Sequence, residues 1–243
     1  MDYSARLLRS FPVSTGTLCV EFELLTPGFS FRAGQASLFS FPPEFPLADK
    51  SRIFSLCSAP SELPTVSIAT RLTSGSLFKE ALAKSRPGQM FLIGEATGEF
   101  VIPEEARPKT LVFLAGGIGI TPFRSMIRES RYRKNSPFRI LLLTVNRSRA
   151  DTPFLSECEA WMKERTALWI PVLTQEGLPP AGSRQERIEE GLSRILDMAG
   201  VESLLYLSGP PAMVDAFHQI LLGQFLVEEP RIKSEMFYGY LAH

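Results

Sequence analysis

The apolar positions in the N-terminal part of the chain follow the pattern of a small β-domain. Up to about residue 102, the apolar segments are short, rich in β-branched and aromatic residues, and separated by turns that contain Pro or Gly. This pattern is typical of strands in a barrel or sandwich. Strands are predicted at residues 17–25, 36–41, 52–58, 65–70 and 89–93. Residues 76–84 have helical apolar spacing and predict a helix within this part.

After residue 109 the pattern changes to buried strands that alternate with amphipathic helices. Near-continuous apolar runs predict strands at 109–115, 138–145, 167–173 and 203–208, and helices are predicted at 121–131, 152–164, 185–198 and 211–222. This alternation indicates a doubly wound parallel sheet that binds its ligand at the carboxyl ends of the strands. A polar segment between Pro103 and Pro108 separates the two patterns. We therefore predict two domains, an antiparallel β-barrel at 1–102 and an α/β domain at 109–243.

Composition and charge exclude several classes of function. Among the 243 residues, 26 Lys and Arg balance 26 Asp and Glu, so the chain has no positive surplus that would attract nucleic acid. No apolar run approaches the ~20 residues of a membrane span, and the N-terminus lacks the pattern of a secretory signal. Three separated cysteines and two histidines argue against a disulfide framework, an iron-sulfur cluster and a histidine metal site. We expect a cytoplasmic protein without a metal site.

The most informative candidate for chemistry is the strand-to-helix turn in LVFLAGGIGITPF. Gly116, Gly117 and Gly119 let the backbone turn sharply and approach a ligand closely. Thr121 and Pro122 are suited to an N-cap and a first helical turn. Such a turn directs free amide groups and the positive helix end at a phosphate. The alternative is a tight turn of the kind found in any α/β protein.

A second candidate lies on the strand predicted at 52–58. Strand alternation places Arg52, Phe54 and Ser58 on one face, where a guanidinium beside an aromatic ring suits a phosphate next to a flat ring. Ser55 joins them only where the strand bends or ends. The alternative, which composition alone favours, is a surface strand with a solvated arginine and a buried phenylalanine.

The turn at 208–211 and the C-terminal segment are weaker candidates. Ser208, Gly209 and Pro210 follow the last predicted parallel strand, so this turn is expected at the same sheet edge as the first glycine turn. A simple strand-to-helix turn explains these residues equally well. Residues 235–240 form an aromatic segment that is predicted as a strand, which packing against the sheet also explains.

Together and in this order, these segments resemble the ferredoxin-NADP reductase superfamily of flavin-dependent pyridine-nucleotide oxidoreductases. In that family an RxYSxxS segment of the barrel binds the flavin, and it is similar to Arg52, Phe54, Ser55 and Ser58, with phenylalanine in the usual tyrosine position. A GxxS-like turn that opens a helix toward the flavin pyrophosphate resembles Gly75 and Ser76. The family's GGxGxTP segment, which the resemblance assigns to the nicotinamide dinucleotide, is matched by Gly116, Gly117, Gly119, Thr121 and Pro122.

The resemblance also implies residues close to the reacting rings. The family's CGPP segment appears with Ser208 in place of the cysteine, followed by Gly209 and Pro210. Near its C-terminus the family places an acid beside the nicotinamide and an aromatic over the flavin, roles that Glu235 and Phe237 resemble by spacing. If 235–240 is a strand, these two share a face, and Tyr240 on the other face is the alternative aromatic. We therefore predict Ser55, Ser208 and Glu235 as catalytic residues.

The run after the second parallel strand is predicted to read the ribose of the dinucleotide. Asn146, Arg147 and Arg149 stand there, and two guanidinium groups favour a 2′-phosphate, which tilts the expectation from NADH toward NADPH. Asp151, two residues further on, makes this preference slight, and a solvated loop explains the run equally well.

The function implied is transfer of hydride from NAD(P)H to FAD, with FMN the less favoured flavin, across a cleft between the two domains. Because no cysteine-rich module is present in the chain, electrons are expected to pass directly from the flavin to ferredoxin, flavodoxin or another acceptor. One alternative is a flavin-binding coupling or regulatory subunit with little turnover, which Ser208 and Phe54 keep open. Another is an α/β binding protein without flavin.

Overall fold

The computed structural model describes residues 2–72, 75–103, 109–132, 138–176 and 183–238. These residues form two compact units. The first unit comprises the described residues up to Ile102 together with Thr121–Tyr132, and the second comprises the others. The helix that contains Thr121–Tyr132 thus belongs to the first unit, although it follows a strand of the second in the sequence.

The first unit is built on a six-stranded antiparallel sheet. Its strands are β1 (Tyr3–Ser14), β2 (Thr17–Leu24), β3 (Ala36–Ser40), β4 (Ser51–Ser55), β5 (Thr65–Arg71) and β6 (Met90–Ile93), in the spatial order β4-β3-β6-β1-β2-β5. The sheet curls into a barrel. Leu56, just after β4, forms a bridge with Ile68 of β5, which brings the two outer strands together. This closure removes exposed strand edges. The predicted antiparallel barrel is confirmed.

Phenylalanine rings fill the interior of the barrel. The ring of Phe91 lies 5.0 Å from Phe22 and 4.6 Å from Phe41, measured between centroids, and all three residues are buried. Tilted and edge-on aromatic contacts of this kind stabilise a core beyond the area that they bury. The alternation of apolar residues that predicts the strands therefore corresponds to a real interior face.

Strand β1 was not predicted from the sequence. Regular burial covers only Tyr3, Ala5 and Leu7, and the pairing with β2 then shifts register between Leu7 and Arg9. A register shift interrupts the two-residue period on which strand prediction depends. The strand was missed because its second half does not alternate.

Two helices accompany the barrel. Helix α1 (Leu77–Lys84) begins after Ser76, whose side chain accepts a hydrogen bond from the Lys79 amide. Helix α2 (Ile120–Tyr132) begins one residue before the predicted N-cap, Thr121, because the 3-10 turn at Gly117–Gly119 leads directly into it. Thr121 and Pro122 therefore lie in the first helical turn, and Thr121 is not the cap.

The second unit is a five-stranded parallel sheet with helices. Its strands are β7 (Thr110–Gly116), β8 (Arg139–Asn146), β9 (Leu168–Leu173), β10 (Leu204–Gly209) and β11 (Ile232–Met236), in the order β11-β10-β7-β8-β9. Its helices are α3 (Leu155–Lys163), α4 (Arg184–Ala199) and α5 (Pro211–Gly223). The predicted doubly wound α/β arrangement is confirmed. Within the described ranges, no helix combines the length and the apolar character that crossing a bilayer requires.

Strand β11 differs from the aromatic strand predicted at 235–240. It runs earlier, ends at Met236, and pairs in parallel with β10. Its residues are only partly buried, as expected for an edge strand, so its apolar signal in the sequence is weak. The predicted sharing of a face by Glu235 and Phe237 is therefore wrong as an argument from alternation, because Phe237 lies beyond the strand. Tyr240 lies outside the described residues.

Candidate functional site

The first part of the candidate site lies at the end of β4 in the barrel. The Arg52 guanidinium forms a two-pronged ion pair with the Asp49 carboxylate and also donates to the carbonyl of Ser51 at 2.5 Å. The ring of Phe54 is half-buried, and its centroid lies 6.0 Å from the ring centroid of Phe39 and 5.8 Å from that of Phe78. The strand thus presents a cation and an aromatic ring two residues apart.

The start of α1 adds a second set of groups that favour an anion. Ser76 is buried and caps the helix, and Gly75 before it has φ +93° and nothing within 4 Å of the Cβ position. Free amides at a helix start carry partial positive charge and attract phosphates. The sequence predicts Gly75 and Ser76 as flavin-phosphate residues, and this local geometry suits that role.

Lys79 is a cation that the sequence analysis missed. Burial, together with the positive charge of Arg52, holds the pKa of the Lys79 ammonium below its usual range, so the two cations lie close enough to repel each other. The signal was available, because Lys79 is the third residue of a helix whose cap is Ser76. Arg52, Lys79 and the amides of the helix start thus offer several groups that favour an anion, and the carboxylates near them are Asp49, paired with Arg52, and Glu80 in the first turn of α1.

Ser55 and Ser58 have different surroundings from those that strand alternation predicts. Strand β4 ends at Ser55, which is buried, so the common face predicted for Arg52, Phe54 and Ser58 does not reach Ser58. The Ser58 hydroxyl accepts a hydrogen bond from the Ser67 amide at 2.9 Å inside the fold. This bond ties Ser58 to β5, and its role toward a cofactor stays a prediction.

Helix α2 is fastened to the segment that follows β4. The buried Arg124 donates to the carbonyl of Cys57 at 2.7 Å, and the Ser125 hydroxyl donates to the carbonyl of Ser58 at 2.6 Å. One turn further, Arg128 pairs with Glu62. Sequence reasoning missed these bonds, since each joins residues more than sixty positions apart.

Two of the three thiols, those of Cys19 and Cys158, are held in their unreactive protonated form. All three cysteines are buried thiols outside any disulfide. A hydrogen bond with the Cys57 thiol and burial raise the pKa of Cys19, and burial raises the pKa of Cys158 to about 12. Cys19 and Cys158 therefore remain protonated at neutral pH, and the thiolate is the reactive form.

In the second unit, the predicted glycine turn packs against the end of β10. A Cβ on Gly119 would lie 2.1 Å from the carbonyl oxygen of Ser208, and one on Gly209 would lie 3.0 Å from Cα of Gly116. These glycines are required by close approach of backbone to backbone. Gly117 differs, because it has φ +52° and nothing within 4 Å of the Cβ position. Of the three glycines in the turn, Gly117 is the one with open space around it.

The structure brings the predicted catalytic residues Ser208 and Glu235 together. They are paired in the register of β10 and β11, and Ser208 also pairs with Ala115 of β7. Ser208 is fully buried, and its hydroxyl has no hydrogen-bond partner among the described residues. The amide of Phe237 donates to the carbonyl of Gly209 at 2.9 Å. Ser208, Glu235 and Phe237 thus meet at the carboxyl edge of the sheet, where the glycine turn also lies.

The predicted ribose-reading run follows β8 at the same edge. Asn146 is the last residue of that strand and is buried, whereas Arg147 and Arg149 are about half exposed. Arg147 pairs with Asp151 at 3.1 Å, and Arg149 pairs with Glu159. Both arginines predicted to read a 2′-phosphate already have a carboxylate partner.

The chain is similar to known oxidoreductases. Residues 113–219 match the family described as "Oxidoreductase NAD-binding domain". Ferredoxin--NADP reductase B of Sorangium cellulosum is 24% identical over 97% of both chains. The reductase component of phenol 2-monooxygenase from Pseudomonas is 28% identical over 86% of this chain, which spans only 58% of that relative's length.

Solved structures show the same fold. A ferredoxin NADP+ reductase from Neisseria gonorrhoeae, determined with bound FAD and NADP, superposes with a TM-score of 0.79 at 23% identity. The superposition covers 98% of this chain and 99% of that one. At this identity the likeness establishes the two-domain fold.

Proposed function

We propose that this chain is an NAD(P)H-dependent flavoprotein reductase of the ferredoxin-NADP reductase superfamily, to members of which it is similar in sequence and fold. In this proposal FAD binds to the first unit and a nicotinamide dinucleotide binds at the carboxyl edge of the parallel sheet. The observation that carries the proposal is the set of anion-favouring groups formed by Arg52, Lys79 and the Ser76 helix start, together with the ring of Phe54 two residues from Arg52 on β4.

The residues of the first unit fit a flavin nucleotide. Arg52 and Lys79 supply charge-assisted hydrogen bonds to phosphate oxygens, and the start of α1 supplies free amides. Because Arg52 and the helix start are separate phosphate-binding groups, they suit the pyrophosphate of FAD better than the single phosphate of FMN. Phe54 supplies a ring for stacking, without the hydroxyl of the family's tyrosine.

The residues of the second unit fit a dinucleotide. In the glycine turn, Gly117 lies open and leads into the first turn of α2, so its neighbouring amides are suited to a phosphate. Ser208 and Glu235 lie side by side at the same edge. The unpartnered Ser208 hydroxyl is a donor and acceptor suited to the polar part of a nicotinamide ring.

The protein's part in the reaction is to bind and orient its cofactors. A bound flavin supplies the chemistry of accepting a hydride and releasing electrons one at a time. Arg52 and Lys79 hold the phosphate end in place, and the hydrogen bonds from Arg124 and Ser125 hold α2 rigidly against the segment after β4. Fixed geometry of this kind lowers the entropic part of a barrier.

The electron acceptor is proposed only as a class. The similar proteins are named as a ferredoxin reductase and as the reductase component of an oxygenase. We propose a separate redox protein, such as ferredoxin or flavodoxin, as the acceptor of this chain.

The proposal is tested by purifying the protein and recording its absorbance spectrum, followed by anaerobic titration with NADH and NADPH. The expected result is a yellow protein whose flavin is bleached by a reduced dinucleotide and which then reduces ferricyanide catalytically. Bound flavin with negligible turnover would support a coupling subunit instead. A colourless protein that does not take up added FAD would contradict the proposal.

A further inference from the structure

Hydrogen bonds join two loops at the carboxyl edge of the parallel sheet, residues 146–151 and residues 174–176. We call the surface that they form the β8–β9 edge. The amide of Thr174 donates to the carbonyl of Asn146 at 2.9 Å, and the amide of Gln175 donates to the carbonyl of Arg147 at 2.8 Å. The two loops therefore lie side by side at the sheet edge where the ribose of a dinucleotide is read in folds of this type.

The two arginines of this edge are held by carboxylates. Arg147 Nη2 lies 3.1 Å from Asp151 Oδ1, and the other oxygen of Asp151 accepts a hydrogen bond from the Ser148 hydroxyl at 2.7 Å. Asp151 is thus anchored in its own loop. The Arg149 guanidinium pairs with Glu159 of α3.

A third carboxylate, Glu176, lies on the same edge. Its Oε1 accepts a hydrogen bond from the backbone amide of Arg149 at 2.8 Å, which fixes the half-buried carboxylate against the neighbouring loop. A third guanidinium, that of Arg187, donates to the carbonyls of Leu173 and Glu176 at 2.7 Å each. Among the described residues on and next to this edge, the carboxylates of Asp151, Glu159 and Glu176 balance the three guanidinium groups, which leaves no surplus of positive charge for a phosphate dianion.

The side chain of Asn146 is an independent indication that a ligand binds at this edge. Asn146 is only 6% exposed, and in the described part of the chain neither its side-chain nitrogen nor its oxygen has a hydrogen-bond partner. Buried amides are normally paired, so an unpaired one at the end of a strand marks a place where a polar group is to be bound. An amide offers both a donor and an acceptor, which suits a hydroxyl-bearing ribose.

We propose that the β8–β9 edge makes this reductase select NADH over NADPH, with Glu176 as the carboxylate that accepts the ribose 2′-hydroxyl. The inference rests on the reductase function proposed above and deepens it. A carboxylate accepts a hydrogen bond from a 2′-hydroxyl but repels a 2′-phosphate. The arginines, which from the sequence favour NADPH, are neutralised by partners that the sequence places up to ten residues away.

Binding is measured by calorimetric titration of the purified protein with NAD+ and, separately, with NADP+. We expect NAD+ to bind at least about tenfold more tightly, the scale of one lost charge-assisted bond. Equal binding, or tighter binding of NADP+, would overturn the proposal. This measurement does not depend on electron transfer, so a yellow protein that binds NADP+ more tightly would disprove the preference and leave the reductase function intact.

Charge variants assign the preference to residues. The double variant Asp151→Asn/Glu159→Gln frees both arginines and is expected to shift the affinity ratio toward NADP+ by about tenfold. Glu176→Gln is expected to weaken NAD+ binding severalfold. The matched control is Glu202→Gln, which removes an exposed carboxylate paired with Lys109 before β10, and its ratio should match the wild type. An unchanged ratio in Glu176→Gln would remove Glu176 from the proposal, and failure to bind either dinucleotide would overturn the reductase function as well.

Discussion

The helix start at Ser76 and the helix start after Gly119 both follow a glycine turn, but different interactions stabilise them. At α1, Ser76 caps the helix, nothing lies within 4 Å of the Cβ position of Gly75, and Arg52 and Lys79 supply two cations. At α2, the glycine turn is pressed against the backbone at the end of β10.

Because of this difference, mutations in the two turns are expected to affect different properties, anion binding at α1 and fold stability at α2. The α1 start depends on charge, so changes there should weaken anion binding and leave the fold intact. The α2 start depends on the absence of side chains, so changes there should destabilise the fold. Similar glycine motifs therefore predict similar ligands, whereas the effect of a mutation on folding stability differs between the two turns.

The largest expected effect is on stability, in Gly119→Ala. The added Cβ would lie 2.1 Å from the Ser208 carbonyl oxygen, which is backbone and cannot move aside cheaply. We expect the free energy of unfolding to fall by about 3 kcal/mol, the upper range for overpacking. Denaturant unfolding monitored by circular dichroism measures this loss.

Gly117→Ala is the matched control within the same turn. Its Cβ position is open, and the cost is that of placing alanine at φ +52°, about 1 kcal/mol. If Gly117→Ala is as destabilising as Gly119→Ala, close packing on β10 is not what requires the glycine at 119.

The second effect concerns flavin affinity, in Arg52→Ala. Loss of the guanidinium removes a charge-assisted bond and leaves the Asp49 carboxylate without its partner in the ion pair, next to the proposed phosphate. We expect flavin binding to weaken by roughly 1–3 kcal/mol, with little change in melting temperature. Fluorescence titration of the apoprotein with FAD measures it.

Two variants sharpen the assignment of Arg52. Asp49→Asn removes the opposing charge and should tighten flavin binding, while Arg6→Ala, which removes an exposed arginine paired with Glu23, should leave it unchanged. Unaltered flavin retention in Arg52→Ala would take this residue out of the binding site.

A third, smaller effect is a pH dependence carried by Lys79. Burial and the charge of Arg52 lower the pKa of Lys79, so the ammonium loses its proton at a lower pH than an ordinary lysine. The cationic form, which binds phosphate, is present below that pKa, and flavin affinity should therefore fall severalfold as pH rises through it. Titrations between about pH 7 and pH 10 are expected to show this fall in the wild type, and Lys79→Met is expected to abolish it.

Lys84→Met is the control for this pH dependence, since Lys84 is exposed at the opposite end of α1. It should titrate like the wild type. A fall in affinity that persists in Lys79→Met would assign the titration to another group.

The smallest effect on stability is expected in Ser208→Cys. The Ser208 hydroxyl is buried without a partner among the described residues, so replacing it with a thiol loses no hydrogen bond and should change stability by less than about 1 kcal/mol. The thiol is larger and softer, so the rate of flavin reduction should change more than dinucleotide affinity. Stopped-flow traces identical to the wild type would show that this side chain does not touch the nicotinamide.

Sequence periodicity predicted most of the sheet strands because the faces that a strand buries determine which of its positions are apolar. The runs that became β7, β8 and β10 are buried on both faces and therefore continuously apolar. Where burial is incomplete, as in β1 and β11, the pattern fails. The same limit explains why the strand that contains Glu235 was predicted to begin and end too late in the sequence.

The sequence by itself determined the two architectures, the order of the motifs and the resemblance to the superfamily, because each depends on local periodicity and on residues that lie close together in the chain. Only the tertiary structure decided which charges remain available. Lys79 joins Arg52 across more than twenty residues, Arg149 meets Glu159 and the carboxylate of Glu176, and Arg124 reaches back to Cys57. Electrostatic balance depends on distances of a few ångströms between residues far apart in the chain, and folding sets those distances.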